Sequence, residues 1–385
     1  MLTIGDQDAV NLLRFFDELP DPRSKVNRLH RLGDVIVIAI CAVIAMADGP
    51  TAIAAWAKLN EAWLRRHLKL PNGIPGKDTF RRVLSLLHPA AFQQCFQEWL
   101  SSLSVSSDDE SDSNRHIAID GKTLRRSHDK KKGLGPLHIV SAWASDRGIT
   151  LGQVATDEKS NEITAIPQLL DIIDLEDAIV TIDAAGCQKT IAAQIVRGKG
   201  DFVLALKGNQ GKLLDDVRLL MDCHIQDDFA SCPVSRYVEV EQGHGRLESR
   251  SYYQITAPTY LHGRSEWKGL KTIGAAVRVY EENGVEKSDT RYYVSSLRRN
   301  GKRFANAVRN HWAIENTLHW SLDMTYREDE SRVRNRTFAD NLSWLRRMTL
   351  SLIKQHPGKQ SNIMKRRMAG WSVDFLMQIL TGKGT

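Results

Sequence analysis

Two apolar runs in this chain end on an acid. Ile117-Ala118-Ile119 leads to Asp120-Gly121, and Val180-Thr181-Ile182 leads to Asp183-Ala184. A carboxylate at a strand end in an α/β sheet points into the crevice where ligands bind. If the two strands are neighbours, the side chains converge and each raises the cost of ionising the other. A divalent cation removes that cost, and hard carboxylate oxygens select magnesium or manganese. One such Asp is more commonly a turn former or helix cap. Two in matching contexts bring metal binding level with that use.

A third acid is sought late in the chain, in the helical stretch 309–334. Glu315 lies among Trp312, Ile314, Leu318 and Trp320, with His319 at i+4 and Asp323 at i+8 on the same helix side. A Glu buried there without a partner is costly, and a metal would be one partner. On the residues alone, a surface Glu paired with Arg or His on an amphipathic helix weighs more. Asp323 and Glu328 are weaker candidates for the same role.

Basic residues stand next to these acids. Lys122, Arg125 and Arg126 follow Asp120 and suit phosphates, which give position and salt-dependent affinity rather than sequence choice. Lys207 ends another apolar run and suits the same use. The phosphate-loop spacing Gly-x4-Gly-Lys-Ser/Thr fails at Leu206 and Leu213. Arg246, Glu248 and Arg250 recur at period two and share a strand face, which either tracks DNA or carries its own ion pairs. Arg332, Arg334 and Arg336 add to a general basic patch.

The elements that must position these groups change along the chain. Residues 1–103 read as an all-helical domain, with apolar positions at helical spacing and Asp78 as N-cap of a helix carrying Arg81 and Arg82. That domain either sits on DNA or is an ordinary bundle. Residues 104–115, acidic and Ser-rich, read as a linker. From 116 to 231 the order is strand, hairpin pair across Asp146-Arg147-Gly148, helix, strand, helix, strand, which predicts a mixed α/β sheet with an antiparallel edge. Residues 232–298 read as β-hairpins around His244 and Asn283-Gly284. Residues 299–350 return to helix, and 351–385 form a helical tail.

The 385 residues suggest more than one domain, and 42% apolar residues allow sizeable cores. The net charge of +7 fits a polyanionic partner. Residues 291–370 hold 17 Lys/Arg against 6 Asp/Glu, the expected pattern of an electrostatic footprint. Cys41, Cys95, Cys187, Cys223 and Cys232 form no Cys-x-x-Cys pair, which points to a reducing compartment and no structural zinc. The apolar run 35–47 is shorter than the ~20 residues of a membrane span and reads as a buried helix. The expectation is a cytoplasmic protein with no membrane partner. No Gly-x-Gly-x-x-Gly follows a strand, which counts against a dinucleotide-binding enzyme.

In order, the motifs AIDGKTLR, TDEKSNEITAIPQLL, TIDAAGCQK, ALKGNQG, GHGRLESR, RYYVSSL and RNHWAIENTLHWSLDM resemble the DDE transposases of bacterial insertion sequences. More narrowly they resemble the branch that includes the H-repeat-associated proteins. The likeness runs from about Phe15 to the end of the chain. It implies a ribonuclease-H-like core with helices on both faces, Asp120, Asp183 and Glu315 as the acidic triad, and residues 232–298 as a β-rich insertion between the second and third acids. Relatives often carry Tyr, Arg and Lys around the third acid. Here those positions are Val308, His311 and Leu322, so Arg309, His311 and His319 are the candidates for the helper role toward DNA.

The resemblance further implies phosphoryl transfer with two Mg2+ ions, Mn2+ substituting, on double-stranded DNA. The element's terminal repeats would be cut and the freed 3′-hydroxyl joined to target DNA, with at least a homodimer when two ends are paired. The protein would be nucleoid-associated. Competing readings are a DNA-binding remnant without activity and a nuclease without strand joining.

Overall fold

The computed structural model describes residues 14–104, 115–157, 161–243, 246–282 and 285–382. Most of the expected linker and the tips of the two expected hairpins around His244 and Asn283-Gly284 lie outside the described residues.

The N-terminal part is helical, with α1 (Leu32–Ile44), α2 (Pro50–Leu59), α3 (Glu61–His67), α4 (Lys77–Leu86) and α5 (Pro89–Ser104). Every residue of α1 is buried, as expected of a helix apolar on all sides. No helix among the described residues is long and apolar enough to cross a membrane. Helix α4 is N-capped by Gly76, not Asp78. Asp78 sits in the first turn, where it favours the helix dipole and pairs with Arg81 at 2.7 Å.

The described residues form one mixed sheet of nine strands, in the order β3-β2-β1-β4-β5-β9-β8-β7-β6. The first three strands are β1 (Arg115–Thr123), β2 (His138–Ala144) and β3 (Ile149–Thr156). Then come β4 (Ala178–Ile182), β5 (Asp201–Ala205), β6 (Val234–Gly243), β7 (Arg246–Thr256), β8 (Thr272–Glu282) and β9 (Val285–Ser295). Strand β1 is antiparallel to β2 and parallel to β4, and β4 is parallel to β5. The hairpin strands of residues 232–298 do not stand apart from this sheet. Strand β9 pairs antiparallel with β5, so the hairpins extend the same sheet outward.

Side-chain alternation then decides which helices cover which face. Ile117, Ile119, Val180 and Phe202 face α6 (Glu162–Asp171), α7 (Lys189–Arg197) and α8 (Gly211–Gln226). Ile179 and Val203 face the opposite way, onto Phe304 and Val308 of α9 (Gly301–Ala313). Beyond α9 the chain runs through one π turn (Ile314–His319), α10 (Trp320–Met324), α11 (Arg336–Gln355), α12 (Asn362–Trp371) and α13 (Val373–Thr381). Ile314, Leu318 and Leu322 share a single core with Phe16–Trp99 and with α11 to α13. The N-terminal helices and the C-terminal tail are therefore two parts of one layer, and the helix carrying Glu315 is held between that layer and the sheet.

Part of the late basicity is internal rather than a surface footprint. Arg347 and Arg366 are fully buried, with Arg346 and Lys365 nearly so. Arg347 donates to the buried Glu328 at 3.2 Å and to Ser141 of β2 at 3.1 Å. Arg366 donates to the carbonyls of Thr325 (2.6 Å) and Val43 (2.7 Å), stitching the tail to α1. Buried charge is stable only with its partner in place. Replacing Glu328 by Ala strands Arg347 and should cost about 3–5 kcal/mol, read as a lower urea midpoint. A loss of under ~1 kcal/mol, typical of a surface pair, would contradict this.

Candidate active site

Strands β1 and β4 run parallel, and their last paired residues are Ile119 and Ile182. The residue after each is an acid. There β4 stops, and Asp183 caps the short turn Ala184–Gly186, its carboxylate accepting from the Ala185 amide at 3.0 Å. Strand β1 does not stop. It continues to Thr123, with Asp120 opposite Ser141 of β2. Asp120 is thus inside a strand, not at its end as the apolar run suggested, because antiparallel pairing with β2 continues after parallel pairing with β4 has ended.

Period two aims Ala118, Asp120 and Lys122 at the helix running through the π turn. His319 Nδ1 stands 3.6 Å from Asp120 Oδ2, and Asp323 contacts the Lys122 ammonium at 2.8 Å. Single π turns are rare and frequent at functional sites. This one presents Glu315 at the surface while Ile314 and Leu318 stay buried. Burial pushes the Asp120 carboxyl up to about 7. The carboxylates of Asp183, Glu315 and Glu162 push the same way, and the Gly121 amide opposes them. Two of the acids expected from the sequence, Asp183 and Glu315, therefore act electrostatically on the third.

Asp183 and Glu315 line a cleft of about 560 Å³ together with Lys207, Arg218, Arg291 and Trp312. Lys207 and Arg218 are exposed. The Arg291 guanidinium lies 4.4 Å from the Trp312 ring centre. The sequence reading missed Arg218, Arg291 and Trp312. Arg291 reaches the cleft only because β9 pairs with β5, and nothing local signals that pairing.

The other basic candidates are placed differently. Lys122 is 8% exposed and bridges Asp323 and Asp329 (3.0 Å); it is a strut between β1 and the helix, with no free face for phosphate. Arg125 is exposed and pairs with Asp329 at 3.0 Å, and Arg126 is exposed beside it. Arg250 pairs with Glu241 (2.7 Å) and Glu248, and Arg309 pairs with Glu239 (3.5 Å) and Glu241. Of the two readings of that strand face, the structure has the ion-paired one. Arg246 begins β7, but its side chain lies outside the described residues. Burial pulls His319 down to about 3 and His311 down to about 4, so neither is a cation for phosphate at neutral pH. Glu328 is engaged by Arg347 and Asp323 by Lys122, which leaves Glu315 as the acid open to the cleft.

On the other face of β1, His138 Nε2 and Glu162 Oε1 stand 2.5 Å apart, and both residues are buried. A Cβ on Gly121 would overlap both groups. The glycine after Asp120 is there because this pair lies against the backbone. Nothing in the spacing of Glu162 from Asp120 reveals the contact.

Among the described residues, no three His, Cys, Asp or Glu side chains already stand close enough to hold a metal ion. The donors nonetheless fit a hard divalent cation in kind. All three acids carry carboxylate oxygens, they share one site, and their mutual repulsion is what a cation relieves.

Residues 111–352 match the family described as "Transposase DDE domain" and residues 13–100 match "DDE_Tnp_1-associated". "Putative transposase YncI" of Escherichia coli O157:H7 is 38% identical over 361 residues, covering 93% of this chain and 90% of that protein. "H repeat-associated putative transposase YhhI" of Escherichia coli K12 is 36% identical, covering 97% and 98%. The piggyBac transposase synaptic complex with hairpin DNA aligns at a TM-score of 0.41 and 11% identity, covering 96% of this chain and 81% of that one. The chain belongs to the DDE transposase family.

The folded chain holds a proton on Asp120 up to about 7, whereas an unfolded Asp releases it near ~3.9. The folded state therefore binds more protons in that interval, and the metal-free protein loses stability as pH rises through it. Asp120→Asn removes this penalty. In EDTA the variant should melt above wild type at pH 8 and show no gain at pH 4. Equal melting at both pH values would contradict the shift.

Proposed function

We propose that this chain cuts DNA at the ends of an insertion sequence and joins the freed 3′-hydroxyl to target DNA, with divalent cations as cofactor. One observation carries the reading. Asp120 and Asp183 each follow the last paired residue of the adjacent parallel strands β1 and β4, and Glu315 enters the same site from the π turn. Asp120, Asp183 and Glu315 would hold two Mg2+ ions, which when bound lower the pKa of the attacking hydroxyl and stabilise the leaving oxygen.

The chain's own residues supply the rest. Lys207, Arg218 and Arg291 receive phosphates in the cleft they line with Asp183 and Glu315, and exposed Arg125 and Arg126 do so beyond Asp120. Water attacks in the first step and a DNA 3′-hydroxyl in the second, so no Ser or Tyr nucleophile is required. The acids act twice on phosphodiesters, and the same cleft serves both steps.

Asp120→Asn should bind a terminal-repeat duplex as wild type does. Its nicking in Mg2+ should fall by more than the roughly 10–100-fold that outer-shell changes cost. Nicking at the wild-type rate would refute the assignment. Wild-type protein should also give strand-joined products with a pre-nicked end and target DNA. Cleavage without any joined product would instead make it a nuclease.

A further inference from the structure

Beside the acids runs a chain of polar groups that the reaction as stated does not use. The Ser145 hydroxyl donates to the Asn310 carbonyl at 3.1 Å. His116 Nδ1 lies 3.2 Å from Ser145 Oγ, and His116 Nε2 lies 3.1 Å from Thr181 Oγ1. His311 Nδ1 lies 3.1 Å from the same Thr181 hydroxyl. His116 and Thr181 are buried, and His311 lines the cleft with Asp183 and Glu315.

The carbonyl end gives this chain one direction. A carbonyl oxygen only accepts, so the single Ser145 proton is committed to Asn310. Ser145 Oγ then accepts and His116 donates from Nδ1, with the Ala307 carbonyl as a second backbone acceptor beside the ring. Burial keeps His116 neutral, pulling it down to about 3, so its Nε2 carries no proton and accepts from Thr181. The Thr181 proton is now used, so Thr181 Oγ1 accepts from His311 Nδ1–H, and the Thr181 backbone carbonyl is a further acceptor for the same ring. His311 is neutral too, and its Nε2 is left with a bare lone pair.

We propose that this one-way chain from Asn310 locks His311 as the Nδ1–H tautomer, with Nε2 serving as a neutral acceptor on the cleft wall. It would take a hydrogen bond from the attacking water or the 3′-hydroxyl and so orient the nucleophile's lone pair toward phosphorus. His311 is then a catalytic residue that touches the nucleophile, and Thr181, His116 and Ser145 are positioning residues. This rests on the phosphoryl-transfer reading for its substrate, but not for the tautomer.

The tautomer is read directly by 15N correlation spectra of protein labelled at histidine, with His311 assigned by its loss in His311→Gln. The bare nitrogen should be Nε2 in the wild type and redistribute in Thr181→Val. Ser145→Ala, less buried, gives the same readout if Thr181→Val does not fold. In nicking assays, Thr181→Val should lower kcat by about 10–100-fold with KM for the DNA end unchanged. His311→Gln, which still offers an acceptor near Nε2, should stay within about tenfold of wild type, while His311→Arg should lose nicking. A proton on Nε2 in the wild type, or wild-type nicking by His311→Arg, would overturn the proposal. Persistent nicking by Asp120→Asn would sink the assignment of the acids while leaving the tautomer result standing.

Discussion

Parallel pairing of Ile119 with Ile182 sets the position of everything else at this site. Because the pairing ends there, the next residue of each strand is free of its neighbour, and both are aspartates. Two carboxylates so placed repel, and burial of Asp120 sharpens the effect by removing water that would screen it. This electrostatic load is what favours the proton on Asp120. The surrounding residues are arranged to tolerate it: the Gly121 amide and the Ala185 amide each donate to one of the two carboxylates.

The third acid reaches this point by a different physical route. It rides on a helix whose apolar side belongs to the helical layer and whose polar side belongs to the sheet. Ile314, Leu318 and Leu322 anchor the first, while His319 against Asp120 and Asp323 against Lys122 mark the second. The π turn lies where the two demands meet. Glu315 therefore depends on the N-terminal helices for its position, although those helices end some two hundred residues earlier in the chain. This gives them a structural connection to the site regardless of any contact they make with DNA.

Charge inside the protein divides into separate uses. The Glu328–Arg347 pair is fully buried and ties α11 to the strand next to Asp120 through Ser141. Lys122 joins β1 to the helix beyond the π turn. The Arg250–Glu241–Arg309 cluster crosses from the hairpin strands to α9. None of these cations is spare. Lys207, Arg218 and Arg291 line the same cleft as Asp183 and Glu315, and Arg291 stands 3.3 Å from Asp289, which lines it too.

Much of the framework was legible in the sequence because it depends on short-range pattern. Asp120 and Asp183 are visible as acids closing β-branched runs, the mixed sheet follows from the order of its elements, and the ordered motifs resemble one family. The local reading could not tell a strand that ends at Asp120 from one that passes through it, because the pairing partner β2 lies beyond the turn. Nor could it tell a cation in solvent from one held inside the fold: Arg347, Arg366 and Lys122 look the same in sequence as Lys207. The neutral state of His311 and His319, the π turn under Glu315 and the arrival of Arg291 at the cleft are tertiary outcomes. Each is set by desolvation or by strand pairing between segments far apart in the chain, and neither leaves a local signature in residue order.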